Sequence, residues 1–234
     1  MRPTAGADRS PRTAASTAGG LDSGWQTAPR LPQAFFARDA LAVARDLLGQ
    51  LLVRDEVALR ITEVEAYRHP NDSANHCRAG WTPRNAPMWG PAGHAYVYLC
   101  YGVHQMLNLV TDGEGQGAAV LIRSAEPVDG LATIRARRGE RSGPTLLTGP
   151  GKIGAALGLD TGWSGHAVFE AGGLEVRSGR PPARVVAGPR IGIGYASAAD
   201  LVAPWRLADG DSLWVGHRRG LGVTTAARDA KALT

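Results

Sequence analysis

Cysteine and lysine are the scarce residues of this 234-residue sequence: each occurs twice, as Cys77 and Cys100 and as Lys152 and Lys231. Two cysteines exclude a disulfide framework in a chain of this size and cannot form the paired spacing of a zinc ribbon, so a reducing compartment is expected. With so little lysine, nearly every cation is arginine, which fits phosphate recognition and equally fits the codon usage of a GC-rich genome. No stretch approaches the roughly 20 apolar residues of a membrane-spanning helix, and the first thirty residues lack the apolar run of a secretory signal. A soluble cytoplasmic protein with no membrane partner is the expectation. The net charge of +5 and pI of about 9.7 favour a polyanionic partner, although many enzymes that never touch nucleic acid are as basic.

What is present is enough for one good core: 44% of the residues are hydrophobic, and a single domain is the default at this length. Residues 1–30, rich in Ala, Thr, Ser, Gly, Arg and Pro, carry too few large apolar side chains to offset ordering and predict a flexible basic tail. A second basic tail is predicted over 217–234, leaving 31–216 as the folded domain. Asp39 is a candidate N-cap for a helix in which Leu41, Val43, Ala44, Leu47 and Leu48 lie on one side and which ends near Gly49. Strands are predicted at Gln50–Arg54, Val57–Tyr67, Ala95–Tyr101 and Gly117–Arg123, with a turn at Gly102, and a helix over Val128–Arg138. Later strands are predicted at Val168–Val176, Val185–Ile193 and Leu213–Val215. The mixed order of elements points to a single α+β domain with a curved, mainly antiparallel sheet and flanking helices.

Alternation along Val57–Tyr67 places Glu63, Glu65 and Tyr67 on one face. Two carboxylates and a phenol there are either a solvated sheet edge or buried groups that demand partners. Arg123 closes an apolar run and needs a carboxylate if buried; Glu65 or Glu63 is a ready partner. Such a pair is a structural ion pair, or it holds a general base ionised beside a water. Tyr67, His76, Tyr96, Tyr98 and Tyr101 crowd one stretch of chain, as core rings or as faces for a planar ligand. Gly149-Pro150-Gly151-Lys152 reads as a turn before a helix, with free N–H groups and a lysine that suit a phosphate, but it lacks the spacing of a Walker A loop. His69, His76, Cys77, His94, Cys100 and His104 match no common zinc spacing, so no metal and no cofactor are expected.

The string Ile61-Thr62-Glu63-Val64-Glu65-Ala66-Tyr67 is followed in order by Asp72, Asn75-His76, Thr82-Pro83-Arg84-Asn85, Met88, Tyr96-Val97-Tyr98, Tyr101-Gly102 and Asn108. Together with Val120-Leu121-Ile122-Arg123, Glu126-Pro127, Gly149-Pro150-Gly151-Lys152 and Arg190-Ile191-Gly192-Ile193, it resembles the alkyladenine (3-methyladenine) DNA glycosylase family over about Leu31 to Gly216. The resemblance implies a monofunctional repair enzyme that flips damaged purines from duplex DNA and hydrolyses their N-glycosidic bond. It makes Glu65 the general base, with Arg123 and the Ile191 carbonyl holding the attacking water. Tyr67, His76 and Tyr98 would sandwich the extruded base, Asn108 would reject guanine's amine, and Tyr101 would be the wedge at the tip of a protruding β-hairpin. Arg84 and Lys152 would contact the DNA backbone, in a monomer working at the nucleoid of a bacterial cytoplasm. The loop Gly113–Gly117 is longer than in the mammalian member, and Leu207 stands where phenylalanine is more usual, which predicts an altered pocket wall. Two rival readings are a metal-dependent nuclease or hydrolase built on the His and Cys cluster, and a silent module that binds distorted DNA through Tyr101.

Overall fold

The computed structural model describes residues 24–139 and 141–223. Short helices α1 (Gln33–Phe36) and α2 (Ala40–Leu47) precede strands β1 (Leu51–Arg54) and β2 (Val57–Tyr67). An irregular stretch leads to β3 (Ala95–Cys100), β4 (His104–Thr111) and β5 (Ala118–Asp129), then to α3 (Leu131–Arg138) and α4 (Pro150–Ala156). The rest of the described chain comprises β6 (Leu174–Arg177), β7 (Val185–Gly188), α5 (Ala198–Val202), β8 (Arg206–Asp209) and β9 (Gly222–Val223). The strands form one sheet in the order β3-β4-β5-β2-β8-β7-β9, with β1 pairing to β2 and carrying β6. Every ladder is antiparallel. This is an α+β domain with a curled sheet and few helices. Among the described residues no helix is long and apolar enough to cross a membrane.

Helix α2 forms as its sequence dictates. The Asp39 carboxylate accepts from the N–H groups of Leu41 (2.9 Å) and Ala42 (3.2 Å), satisfying donors that the first turn leaves free. Ala40, Val43, Ala44 and Leu47 then bury one stripe against the sheet. Gly49 ends the segment at φ +86°, where a Cβ would strike the Arg180 carbonyl at 2.1 Å, so only glycine fits.

The central strand β2 does not alternate simply. Val57, Leu59 and Ile61 enter the main core, but so do Val64 and Ala66, a change from odd to even positions. The change falls at Thr62, the extra residue between the pairs Ile61↔Ala125 and Glu63↔Ser124. A second extra residue, Arg123, lies between Ser124 and Ile122 on β5, so Val120 and Ile122 share the core with Ala125. Each bulge shifts the side-chain phase by one residue, and together they restore the pairing. Glu63, Glu65 and Tyr67 are thereby turned to the face away from the main core. The two bulge residues find partners in distant loops: the Arg123 carbonyl accepts from Gly149 N–H at 2.9 Å, and the Thr62 hydroxyl donates to the Trp214 carbonyl.

Several sequence expectations need correction. Leu213–Val215 is no strand, because the Trp214 carbonyl serves Thr62 and the next N–H but one, that of Gly216, donates to Glu63 at 2.8 Å. The strand expected over Val168–Val176 is confined to β6, since Gly172 and Gly173 at φ +94° and +82° turn the chain. The strand starting at Val185 stops at Gly188, before Pro189. Strand β5 runs on to Asp129, and Gly130 at φ +72° separates it from α3, which therefore starts later than Val128. Strand β8 has no counterpart in the expected elements, and β4 is expected only as the second strand of the hairpin that the resemblance implies.

The expected tails differ too. Trp25 packs with Leu51, Val53 and Ala58, and its indole donates to Asp129 at 2.9 Å, so 24–30 lies on the sheet. At the other end β9 pairs with β7, inside the expected tail. Residues 1–23 and 224–234 of those tails lie outside the described residues.

Candidate active site

On the face exposed by the two bulges, Glu65 is fully buried, with both oxygens engaged. Its Oε1 accepts from the Ile191 N–H at 2.8 Å, and its Oε2 accepts from the Tyr67 hydroxyl at 2.9 Å and Arg123 Nη1 at 3.1 Å. All three partners line a cavity of 460 Å³. At Ile191 it is the N–H that reaches Glu65, a contact separate from the water-holding role that the resemblance implies for the carbonyl. The loop carrying Ile191 follows directly from the early end of β7.

Arg123 also reaches Glu63, with Nε 3.4 Å from its Oε1. Burial alone would lower the Arg123 pKa, but the charges of Glu65 and Glu63 outweigh it and raise the value, so the guanidinium is firmly charged. Tyr67 is pushed well above its ordinary pKa by burial and then by the Glu65 charge. It is therefore a neutral phenol whose O–H donates a hydrogen bond to Glu65. Both partners that the sequence offered for Arg123 are engaged at once.

Rings form the cavity wall. His76 meets Tyr98 edge-on at 4.6 Å between centroids, Tyr96 and Tyr98 stack at 5.5 Å, and His76 Nδ1 lies 3.2 Å from the Tyr96 hydroxyl. Burial holds the His76 pKa below its usual value, reinforced by the charges of Arg84 and Arg78; its imidazole is neutral near pH 7. Burial also raises Tyr98, and raises Tyr96 to about 12. Asn108 on β4 is buried at the wall, its amide donating to the carbonyls of Tyr96 (3.1 Å) and Met106 (3.3 Å). Those bonds fix which end of the amide faces inward.

Arg84 is exposed and also lines the cavity. Tyr101 stands at the turn between β3 and β4, 90% exposed, with the Val103 N–H donating to the Cys100 carbonyl at 3.2 Å. Lys152 sits on α4, two residues after the cavity-lining Pro150, and does not itself line the cavity. Its pKa is lowered by partial burial and then by the charges of Arg138 and Arg141. The long loop Gly113–Gly117 supplies no lining residue. It packs instead on Trp89 and Cys77, which a Cβ on Gly117 would meet at 3.2 and 3.0 Å. Leu207 lies in the main core. The pocket wall expected to differ is thus formed elsewhere. Among the described residues no three His, Cys, Asp or Glu side chains are placed to hold a metal ion.

One element of the site has no role in the sequence reading. Arg190 is sandwiched between the rings of Tyr67 and Trp205, each 4.8 Å from its guanidinium carbon. It pairs bidentately with Asp72, at 2.6 and 2.8 Å, with both side chains fully buried. Asp72 in turn accepts from the backbone N–H groups of Arg68 and Ala74, which ties the segment bearing His76 to the strand bearing Glu65. Both residues belong to the motif string, but their 118-residue separation hides the pairing.

A buried carboxylate held by an arginine, a phenol and a backbone N–H, behind a cavity walled by tyrosine and histidine rings, suits a hydrolase that accepts a planar ring. The sequence model for methylpurine-DNA glycosylase (MPG) matches residues 34–212. The chain belongs to that family. A putative 3-methyladenine DNA glycosylase of Nitrosococcus oceani is 61% identical over 191 residues, covering 82% of this chain and 95% of the relative. The DNA-3-methyladenine glycosylase of Arabidopsis thaliana is 57% identical over 187 residues, 79% of this chain and 73% of its own. A putative 3-methyladenine DNA glycosylase of Methanocella arvoryzae is 45% identical over 195 residues, 81% and 97% of the two chains.

Proposed function

We infer that this chain is a DNA-3-methyladenine glycosylase of base excision repair, which flips damaged purines from duplex DNA and hydrolyses their bond to deoxyribose. The observation that carries the reading is the buried Glu65, with all three of its partners lining a ring-walled cavity. Glu65 is the general base: it takes a proton from water as the water oxygen bonds to the sugar carbon and the carbon–nitrogen bond breaks toward the purine. Its charge also steadies the oxocarbenium-like sugar. Arg123 and the Ile191 backbone hold the carboxylate and the water in place.

Tyr67, His76 and Tyr98 grip the extruded base. Their π faces favour an alkylated purine, which is already cationic and leaves without further protonation. A neutral His76 adds no competing charge. Asn108, with its amide pinned by two carbonyls, discriminates against guanine's exocyclic amine. Tyr101 fills the gap left in the stack, and Arg84 and Lys152 contact phosphates. The enzyme works as a monomer at the nucleoid and needs no cofactor.

The test is chromatographic detection of free base from methylated and hypoxanthine-containing duplexes, by wild type and Glu65→Gln, with and without EDTA. Release that persists in chelator and is lost in the variant is expected. Lesion binding without any release would instead mark a silent binder, and release abolished by EDTA a metal-dependent hydrolase.

A further inference from the structure

Glu63 has no part in the chemistry above, yet it is 1% exposed and shares Arg123 with Glu65. Its Oε1 accepts from Arg206 Nη1 at 3.0 Å and lies 3.4 Å from Arg123 Nε. Its Oε2 accepts from the Ser124 hydroxyl at 2.7 Å and the Gly216 N–H at 2.8 Å. Arg206 also donates through Nε to the Pro189 carbonyl at 2.8 Å, two residues before Ile191. Glu63 therefore anchors two of the three groups that hold Glu65: Arg123 directly, and the Ile191 loop through Arg206. A buried ion pair seldom improves on apolar packing as a source of stability, so this arrangement is better explained by what it orients.

We propose that Glu63 is a positioning residue for the glycosylase reaction, dividing Arg123 between two carboxylates and fixing the Ile191 loop, so that it governs how Glu65 is presented and how readily it accepts a proton. This rests on Glu65 being the base. The groups facing Glu65 are Arg123 from β5, Tyr67 from its own strand, Arg190 and the Ile191 N–H from the loop after β7, Tyr98 from β3, and Tyr195. Of nearby anions, Asp72 is matched bidentately by Arg190. Glu63 is the one that competes with Glu65 for the same guanidinium.

The experiment is single-turnover release of 3-methyladenine from methylated duplex across pH, with lesion binding measured alongside. This leaving base is already cationic, so the acid limb reports on the enzyme. In Glu63→Gln the maximal rate is expected to fall roughly tenfold to a hundredfold, the scale of a small misplacement of a reacting group, with little change in binding. Removing the competing charge leaves Arg123 to Glu65 alone, which favours the carboxylate form and moves the acid limb to lower pH. Glu63→Asp keeps the charge but draws it back by one methylene, so its rate should fall while the acid limb stays.

A Glu63→Gln enzyme with the wild-type rate, or with a lower rate on an unmoved acid limb, overturns the proposal. If that variant does not fold, Glu63→Asp decides, and a wild-type rate there overturns it. Wild type and Glu65→Gln are run in parallel. If wild type releases no base, the glycosylase reading itself fails; if it does and Glu65→Gln does not, any failure belongs to Glu63 alone.

Discussion

Tyr101 is placed where its backbone is strained and its side chain touches almost nothing. Its φ is +51°, followed by Gly102 at +71°, and the ring is 90% exposed. For a residue with a Cβ, the left-handed region costs roughly 1–2 kcal/mol. Glycine at 101 would remove that cost and forfeit almost no burial, while its greater freedom in the unfolded chain takes back about 0.5–1 kcal/mol. The balance for Tyr101→Gly is a gain of about 0.5–1 kcal/mol, or a Tm higher by roughly 1–4 °C in a domain of this size. Function should move the other way. Without the wedge, the unstacking energy of a few kcal/mol is no longer offset, so kcat/KM on duplex lesions should fall by roughly tenfold to a thousandfold. On single-stranded DNA, where the base is already unstacked, the fall should be small. Calorimetry and base release on matched duplex and single-stranded oligonucleotides read both effects. A lower Tm would refute the strain argument, and equal losses on the two substrates would refute the wedge.

Three further outcomes are expected. Asp72→Ala leaves the buried Arg190 without its partner and should cost about 3–5 kcal/mol, seen as a large drop in Tm; a shift of only a degree or two would show that the pair is dispensable. His76, held below its usual pKa by burial and then by Arg84 and Arg78, stays neutral in the fold while the unfolded chain protonates near pH 6.5. Its contribution to stability is therefore complete above that pH and lost as pH falls toward the folded pKa; NMR titration should show the ring's midpoint rising in Arg84→Ala, and an unmoved midpoint would remove Arg84 as a cause. The logarithm of lesion-duplex affinity should fall linearly with log salt, and Arg84→Ala and Lys152→Ala should each flatten that slope by about one; slopes equal to wild type would separate those residues from phosphate contact.

How far the sequence could be read depended on the range of the interaction. The Asp39 cap, the stripe on α2 and the extended run through Glu65 are local patterns, and all form. The ring cluster and the pairing of Arg123 with one of the two acids were legible from residue type, because a buried cation needs an anion; that it serves both at once was not. The hairpin's second strand was not, since β4 runs from an exposed His104 to a wholly buried end and shows no clean alternation. The bond from the Ile191 N–H to Glu65 was not legible, as backbone direction leaves no trace in residue type. The couplings of Asp72 to Arg190 and Glu63 to Arg206 span more than a hundred residues and appear only once the loop after β7 and strand β8 are in place beside β2.

The extra residues Thr62 and Arg123 in the central ladder also limit how this chemistry can be moved or altered. In a regular ladder Glu63, Glu65 and Tyr67 would stand on the same side as Val57, Leu59 and Ile61, inside the apolar core. A transplant of these three with Arg123 into another antiparallel pair must therefore bring Thr62 and the Arg123 bulge along. Deleting Thr62 alone would keep Val64 and the acids on their present faces but leave the Arg123 bulge uncompensated, so that β2 beyond it would slip by one residue against β5.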